Sequence, residues 1–337
     1  MKEKIEFPDY FVTNDGIVVH TVTAFSEKDG GVIGIPKYFP LKKSYLGCRY
    51  ILGKPYSDNF PTFSDSIEKI KKSHPQYIQF VEELGEEMIV FPKSKIKKVL
   101  KPKEIAKNIL NHNFDSKILL DAKEYLKLVI DIFKFNISDI GIEGSIMIGC
   151  FRDSSDIDLV LYGKSKGDQL INNFNLLKKD KRIHLYDEDD EELILSRRYK
   201  NRSFETMSQL VEQEKKRTCG LFNGRRFWLQ PILENSIVKE KIKGRKLRRI
   251  GYEEGQIKIV DASLGKYWPA ILEGIMEDGK KVSIECHDPI YMNQLEKGDF
   301  AHIASNLYID IRNKKKFIIL APWLDIKQKL KKVEFKK

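Results

Sequence analysis

The residues best suited to chemistry lie in one segment of the 337-residue chain. Asp156-Ile157-Asp158-Leu159-Val160-Leu161-Tyr162 opens on two acids and continues as apolar, β-branched sequence that predicts a strand. Successive side chains of a strand point to opposite faces, so Asp156 and Asp158 project together while Ile157 faces the core. Two carboxylates this close repel unless a cation joins them. A hard divalent ion, Mg²⁺ or Mn²⁺, takes oxygen ligands of this kind and commonly arrives with phosphate groups. Upstream, Gly144-Ser145 follows the apolar stretch Ile140 to Ile142 and precedes a predicted short helix. A glycine there lets the backbone approach a ligand, and backbone N–H groups with a serine hydroxyl can hold phosphate oxygens. The ten residues between Ser145 and Asp156 fit a helix that crosses back and sets a second strand beside the first.

Elements on either side must position this segment. Lys103–Leu110 and Ser116–Phe135 have helical spacing; in the second, Ile118, Ala122, Tyr125, Leu126 and Val129 share a face. Arg225 to Ile232 is the candidate neighbouring strand. Residues 10–52 read as strands around a turn at 27–31, followed by helices over 64–72 and 75–84 and a strand over 87–91. Residues 93–102 are basic with flanking prolines and read as a linker. Short strands at 257–260, 270–275, 281–286 and 316–320, punctuated by glycine turns, have the rhythm of a small β-barrel or sandwich. The lysine-rich tail from 327 is expected to fray. The fold class is therefore α+β, divided as a strand-rich α/β region (1–98), a mixed sheet with helices (99–245) and a C-terminal β-rich part (246–337).

Gly144-Ser145, roughly ten residues, then Asp156-x-Asp158 between apolar residues resembles the signature of the DNA polymerase β-like nucleotidyltransferase superfamily. The order of elements is also similar to that of the predicted nucleotidyltransferases of archaea, which set this domain after about 100 N-terminal residues; only 139–163 carry a specific motif. The resemblance implies a polymerase β-like core and transfer of a nucleoside monophosphate from a nucleoside triphosphate to a hydroxyl acceptor. It implies Asp156 and Asp158 as catalytic, Mg²⁺- or Mn²⁺-binding residues, with Gly144, Ser145, Ser155 and Arg152 around the nucleotide. Lys164, Arg225 and Arg226 are further candidate cations. The superfamily commonly adds a third carboxylate on a neighbouring strand. Arg225–Ile232 contains no acid, and Gln230 stands about where one is expected. Three readings stay open: another acid serves (Asp187, Glu143 or Glu234), a nucleotide-bound metal suffices, or the domain binds without turnover.

Net charge is +11, and residues 194–249 alone hold 16 Lys/Arg against five Asp/Glu, a surplus as large as that of the whole chain. Such a field attracts polyanions. Within it, Lys241, Lys243, Arg245, Lys246, Arg248 and Arg249 form the candidate nucleic-acid contact, for RNA or DNA. A second cluster, Arg197, Arg198, Lys200 and Arg202, falls on a helix expected over 193–217 behind the acidic run 187–192, which reads as N-terminal helix charge. Four scattered cysteines fit neither a zinc knuckle nor a disulfide framework and point to free thiols in the cytoplasm. No apolar run approaches a membrane span, which excludes a helical membrane protein. The alternatives to a transferase acting on nucleic acid are a non-catalytic nucleotide- or nucleic-acid-binding protein and a transferase acting on a protein hydroxyl or small molecule.

Overall fold

Among the described residues, three large sheets, each drawn from one stretch of the chain, and a two-stranded ribbon give an α+β architecture. A computed structural model describes residues 4–22, 27–28, 30–44, 48–51, 53–57, 63–198, 207–324 and 328–333.

The first sheet combines β1 (Tyr10–Thr13), β2 (Val18–Thr21), β4 (Gly31–Tyr38), β7 (Ile78–Val81), β8 (Glu86–Pro92) and β9 (Ile96–Leu100) in the order β7-β8-β4-β2-β1-β9. The short β3 (Glu27–Lys28) pairs with β4, β5 (Arg49–Ile51) pairs with β6 (Lys54–Tyr56), and α1 (Phe63–Ser73) packs on β4. Two expectations change here. Residues 75–84 are not a helix: Pro75–Tyr77 makes one 3₁₀ turn, and Ile78–Val81 forms a hairpin with Glu86–Pro92. Antiparallel pairing to β8 outweighs the local helical pattern. The expected linker is also partly strand, because Ile96–Leu100 pairs with β1 at the sheet edge.

The second sheet is mixed. β10 (Ile140–Ile142) lies antiparallel to β11 (Ile157–Tyr162), which runs parallel to β14 (Arg225–Ile232); β13 (Cys219–Phe222) and β12 (Ile183–Leu185) continue it. One face is covered by α2 (Pro102–Asn111) and α3 (Lys117–Phe133), whose apolar side joins Ile157, Leu159 and Leu161 in one core. The opposite face, with Val160 and Ile232, packs on the C-terminal sheet. α4 (Gly144–Ile148) and α5 (Lys164–Asn173) follow β10 and β11. α6 (Glu191–Arg198) and α7 (Met207–Lys215) occupy the expected long helix; 199–206 lie outside the described residues, as do Lys200 and Arg202. Asp187 and Asp190 form a capping box before α6, the helix-start role expected of the acidic run.

After α8 (Asn235–Ile242) comes the third sheet: β15 (Leu247–Leu264), β16 (Ala270–Met276), β17 (Lys281–Cys286), β18 (Phe300–Asp310), β19 (Lys316–Leu320) and β20 (Lys329–Lys332). The 18-residue β15 carries irregularities of register, so that its first part pairs with β18 and its last part with β16. The pairings β15-β16-β17-β19-β18 thus return to β15 in a closed cycle. Lys329–Lys332 does not fray; it pairs with β18.

Candidate functional site

The chemistry-bearing segment folds as a turn resting against a strand. Apolar Ile140, Gly141 and Ile142 pair with Leu161, Val160 and Leu159, and the Glu143 amide donates to the Asp158 carbonyl at 2.9 Å. The chain then turns at Gly144, with φ of +68°, into the five-residue α4. The positive φ favours glycine, and a Cβ there would lie 2.5 Å from Asp158 Oδ2, so any larger residue would have to push the Asp158 carboxylate aside. Ile157, the first residue of β11, is fully buried, while Asp156 just before it and Asp158 both line the cleft described next, the same-side placement expected of the pair. Gly144, Ser145, Arg152, Ser154, Ser155, Asp156 and Asp158 line one cleft of about 520 Å³.

Arginines organise the acid side of that cleft. Arg225 donates from Nη1 to the Asp153 and Ser155 carbonyls at 2.5 and 2.8 Å and from Nε to Asp121 at 3.0 Å, bracing the loop that leads into Asp156. Ser155 Oγ accepts from the Arg152 amide at 2.8 Å, tightening the same loop. Arg226 Nη1 pairs with Asp156 at 3.1 Å, and its Nη2 pairs with the buried Glu214 at 3.1 Å. Glu214 in turn holds Arg217, which lies over the Trp228 ring. Burial alone would lower the Arg226 pKa, but Glu214, Cys219 and Asp156 raise it above the ordinary value, so it is a fixed cation.

Glu143 stands on the other side of the aspartates. It is buried, and its Oε2 has no hydrogen-bond partner among the described residues. Burial, with Asp158 and then Asp156 nearby, pushes its carboxyl up to about 8, while Lys37 opposes the rise. His20 Nε2, likewise without a hydrogen-bond partner among the described residues, lies 4.0 Å from Glu143 Oε2. Burial, then Lys37, holds the His20 imidazole well below its ordinary pKa, so His20 is neutral.

No family model and no solved structure matches the chain. The chain is similar to an uncharacterized protein of Methanocaldococcus jannaschii, 19% identical over 273 residues that cover 80% of each chain.

Of the candidates for a third acid, the fold brings Glu143 to the aspartates. Asp187 caps a 3₁₀ turn, and Glu234 accepts from the Lys164 amide with both oxygens, at 3.0 and 3.1 Å. Gln230 lies on the acids' side of the sheet but further along: register sets it opposite Val160, whereas Trp228 lies opposite Asp158 and Arg226 pairs with Asp156. The earlier expectation misjudged the register by a few residues, which a strand sequence alone does not fix. Lys164 pairs with Asp168 at 2.7 Å and does not line the cleft. Sequence reasoning missed Tyr10, Lys37, Tyr38 and Arg49, which line the cleft from the N-terminal sheet and β5.

A divalent cation fits in part. Asp156 and Asp158 offer two carboxylates to one cleft, one of them already paired with Arg226, and the Glu143 carboxyl beside them is raised by burial first and by Asp158 and Asp156 next. Among the described residues no group of three His, Cys, Asp or Glu makes a ready cage, so the remaining ligands would come from water or a bound anion.

The basic stretch divides. Arg245 is buried, bidentate to Glu285 at 2.5 and 2.9 Å, and donates to the Glu83 carbonyl at 2.6 Å; it is a structural cation and no phosphate ligand. Lys246 pairs with Glu82 at 2.7 Å. Lys241, Lys243, Arg248 and Arg249 are exposed. All four cysteines are buried and none forms a disulfide. No helix among the described residues is long and apolar enough to cross a membrane.

Proposed function

We propose that the chain is a metal-dependent nucleotidyltransferase built on a polymerase β-like core, moving a nucleoside monophosphate from a nucleoside triphosphate to a hydroxyl acceptor. The carrying observation is that the Gly144-Ser145 turn and the Asp156 and Asp158 carboxylates line one cleft together with four cations among the described residues. Gly144 and Ser145 would hold the outer phosphates, and Arg152 and Arg226 would offset their charge. Mg²⁺ or Mn²⁺, when bound at Asp156 and Asp158, supplies neutralisation of the charge that builds on the departing pyrophosphate. The acceptor oxygen forms its bond to the α-phosphorus as the bond to pyrophosphate breaks, and the proton of its hydroxyl passes to solvent water. Positioning and electrostatics do the catalysis, with no covalent enzyme intermediate. Glu143 is the best placed third carboxylate. A nucleic-acid end is the favoured acceptor, supported by exposed Lys241, Lys243, Arg248 and Arg249. The closed pairing cycle of the last sheet supports reading it as a small barrel of the kind that binds oligonucleotides.

A second reading, nucleotide or nucleic-acid binding without turnover, is favoured by one observation. Arg226 pairs with Asp156 from the neighbouring strand where the superfamily commonly offers a carboxylate.

The test supplies each α-labelled nucleoside triphosphate with Mg²⁺ or Mn²⁺ and, as acceptors, cellular RNA, single-stranded DNA and total protein. Label transfer that disappears in Asp156→Asn and in Asp158→Asn is the expected result. Transfer retained by both variants would sink the assignment. Metal-dependent binding without transfer to any acceptor would favour the second reading.

A further inference from the structure

The N-terminal sheet is built into the cleft wall. Tyr10 on β1, Lys37 and Tyr38 on β4 and Arg49 on β5 line the same space as Gly144, Ser145, Asp156 and Asp158. The contact has an apolar footing: Met147 and Ile148 of α4, with Cys150, are buried among Tyr10, Val18, Tyr38, Ile51 and Tyr56. It has a polar one as well, since Arg49 Nη1 donates to the Cys150 carbonyl at 3.3 Å, just beyond α4. Lys37 is close enough to act electrostatically on both Glu143 and His20.

Charge balance decides what these two cations are for. Arg226 is already shared between Asp156 and the buried Glu214, which leaves Arg152 as the one further cation, among the described residues, on the acids' side of the cleft. One divalent ion would not offset the charge of a whole triphosphate, and uncompensated charge in a confined cleft is costly. Lys37 and Arg49 are the other cations lining the cleft among the described residues.

We infer that Lys37 and Arg49 bind the β- and γ-phosphates of the nucleoside triphosphate, so that the N-terminal sheet supplies the preference for triphosphate over monophosphate. The inference rests on the proposed reading of the cleft as a nucleotide site. Lys37 acts as a point charge, and Arg49, tied to the end of α4 through Cys150, couples phosphate contact to the placement of Gly144 and Ser145.

The experiment measures binding to the full chain with Mg²⁺, by calorimetry. The ligands are the α,β-methylene analogues of ATP, GTP, CTP and UTP, each against its monophosphate. Lys37→Ala and Arg49→Ala should each weaken triphosphate binding by about tenfold or more, the worth of one charge-assisted contact. Monophosphate binding should stay within about twofold, and Lys37→Arg should recover most of the loss in Lys37→Ala. Unchanged melting of each variant excludes a folding defect; Lys37→Arg provides the test if Lys37→Ala fails to fold. Triphosphate binding as tight as wild type in both alanine variants would overturn the inference and leave the proposed function standing. So would an equal loss for mono- and triphosphate. Absence of any triphosphate binding by the wild-type chain would instead overturn the proposed function, and the inference with it.

Discussion

Glu143 and Glu285 are the same side chain, both buried, at 7% and 3% exposure, and they have opposite environments. Glu285 receives two bonds from Arg245 and lies 3.5 Å from His287; burial would raise its pKa, but Arg245 and His287 hold it well below the usual carboxylate range. Glu143 faces Asp158 and Asp156, has an oxygen without a hydrogen-bond partner among the described residues, and is pushed up to about 8. The first is a charge that the fold has neutralised for its own sake. The second is a carboxyl that burial, with Asp158 and Asp156 nearby, keeps protonated, so that its charge appears only when something that binds displaces the proton. Burial alone does not mark a site; burial with the partner missing does.

The strongest way to break this contrast is to remove the partner that exists. Arg245→Leu strands the Glu285 carboxylate and should cost about 3–5 kcal/mol in urea unfolding. A loss under 1 kcal/mol would mean that the pair is not the structural element described. The pH dependence sharpens the contrast next. Glu143 has a raised folded pKa, so its contribution to stability is whole below the ordinary value of 4.5 and is lost as pH rises to about 8, at roughly 1.4 kcal/mol per unit. Glu285, with its lowered pKa, behaves in the reverse sense: its contribution is present above the ordinary value and is lost on acidification. In metal-free protein, Glu143→Gln should therefore flatten the loss of stability between pH 5 and about 8 and leave the acid limb unchanged. The same loss persisting in that variant would refute the placement of the charge.

Gly144 and Gly149 bracket α4 with similar positive φ, +68° and +76°, yet a Cβ meets Asp158 at the first and nothing within 4 Å at the second. Gly149→Ala should cost only the backbone strain, about 1–2 kcal/mol. Gly144→Ala should cost more and also abolish nucleotide binding; equal effects on stability would show that Asp158 does not crowd the turn. The smallest effect is expected on the exposed basic strand. Arg248→Ala with Arg249→Ala should reduce the salt slope of RNA or DNA binding by about two, at little cost in stability. A slope that does not change would remove these two residues from the nucleic-acid contact.

What was legible in the sequence was local. Gly144-Ser145 and Asp156-x-Asp158 sit within 15 residues, and strand alternation alone put the two acids on one face. β10, β11 and β14 could likewise be read from short apolar runs. What was not legible depended on pairing between distant segments. Register between β11 and β14 moved the neighbour of the acids from Gln230 to Arg226 and Trp228. Lys37 and Arg49 lie more than 90 residues from Gly144, and nothing near them in the sequence signals a shared cleft. Residues 75–84 failed for the same reason, since a hairpin partner decided their conformation. Arg245 looked like its exposed neighbours because a buried acid 40 residues away is invisible in a run of basic residues.

One apolar cluster holds Phe7 beside the first sheet, Val160 and Ile232 of the second, Ile257 and Ile303 of the third, and Trp268, which bridges to Ile232 just ahead of β16. Another joins Ile33 and Val90 of the first sheet to Leu247, Tyr308 and Phe317 of the third. Side chains shared in this way melt together, so the chain should unfold in one cooperative step with no separately stable fragment. An exchange of one sheet would therefore have to carry the matching faces of the other two.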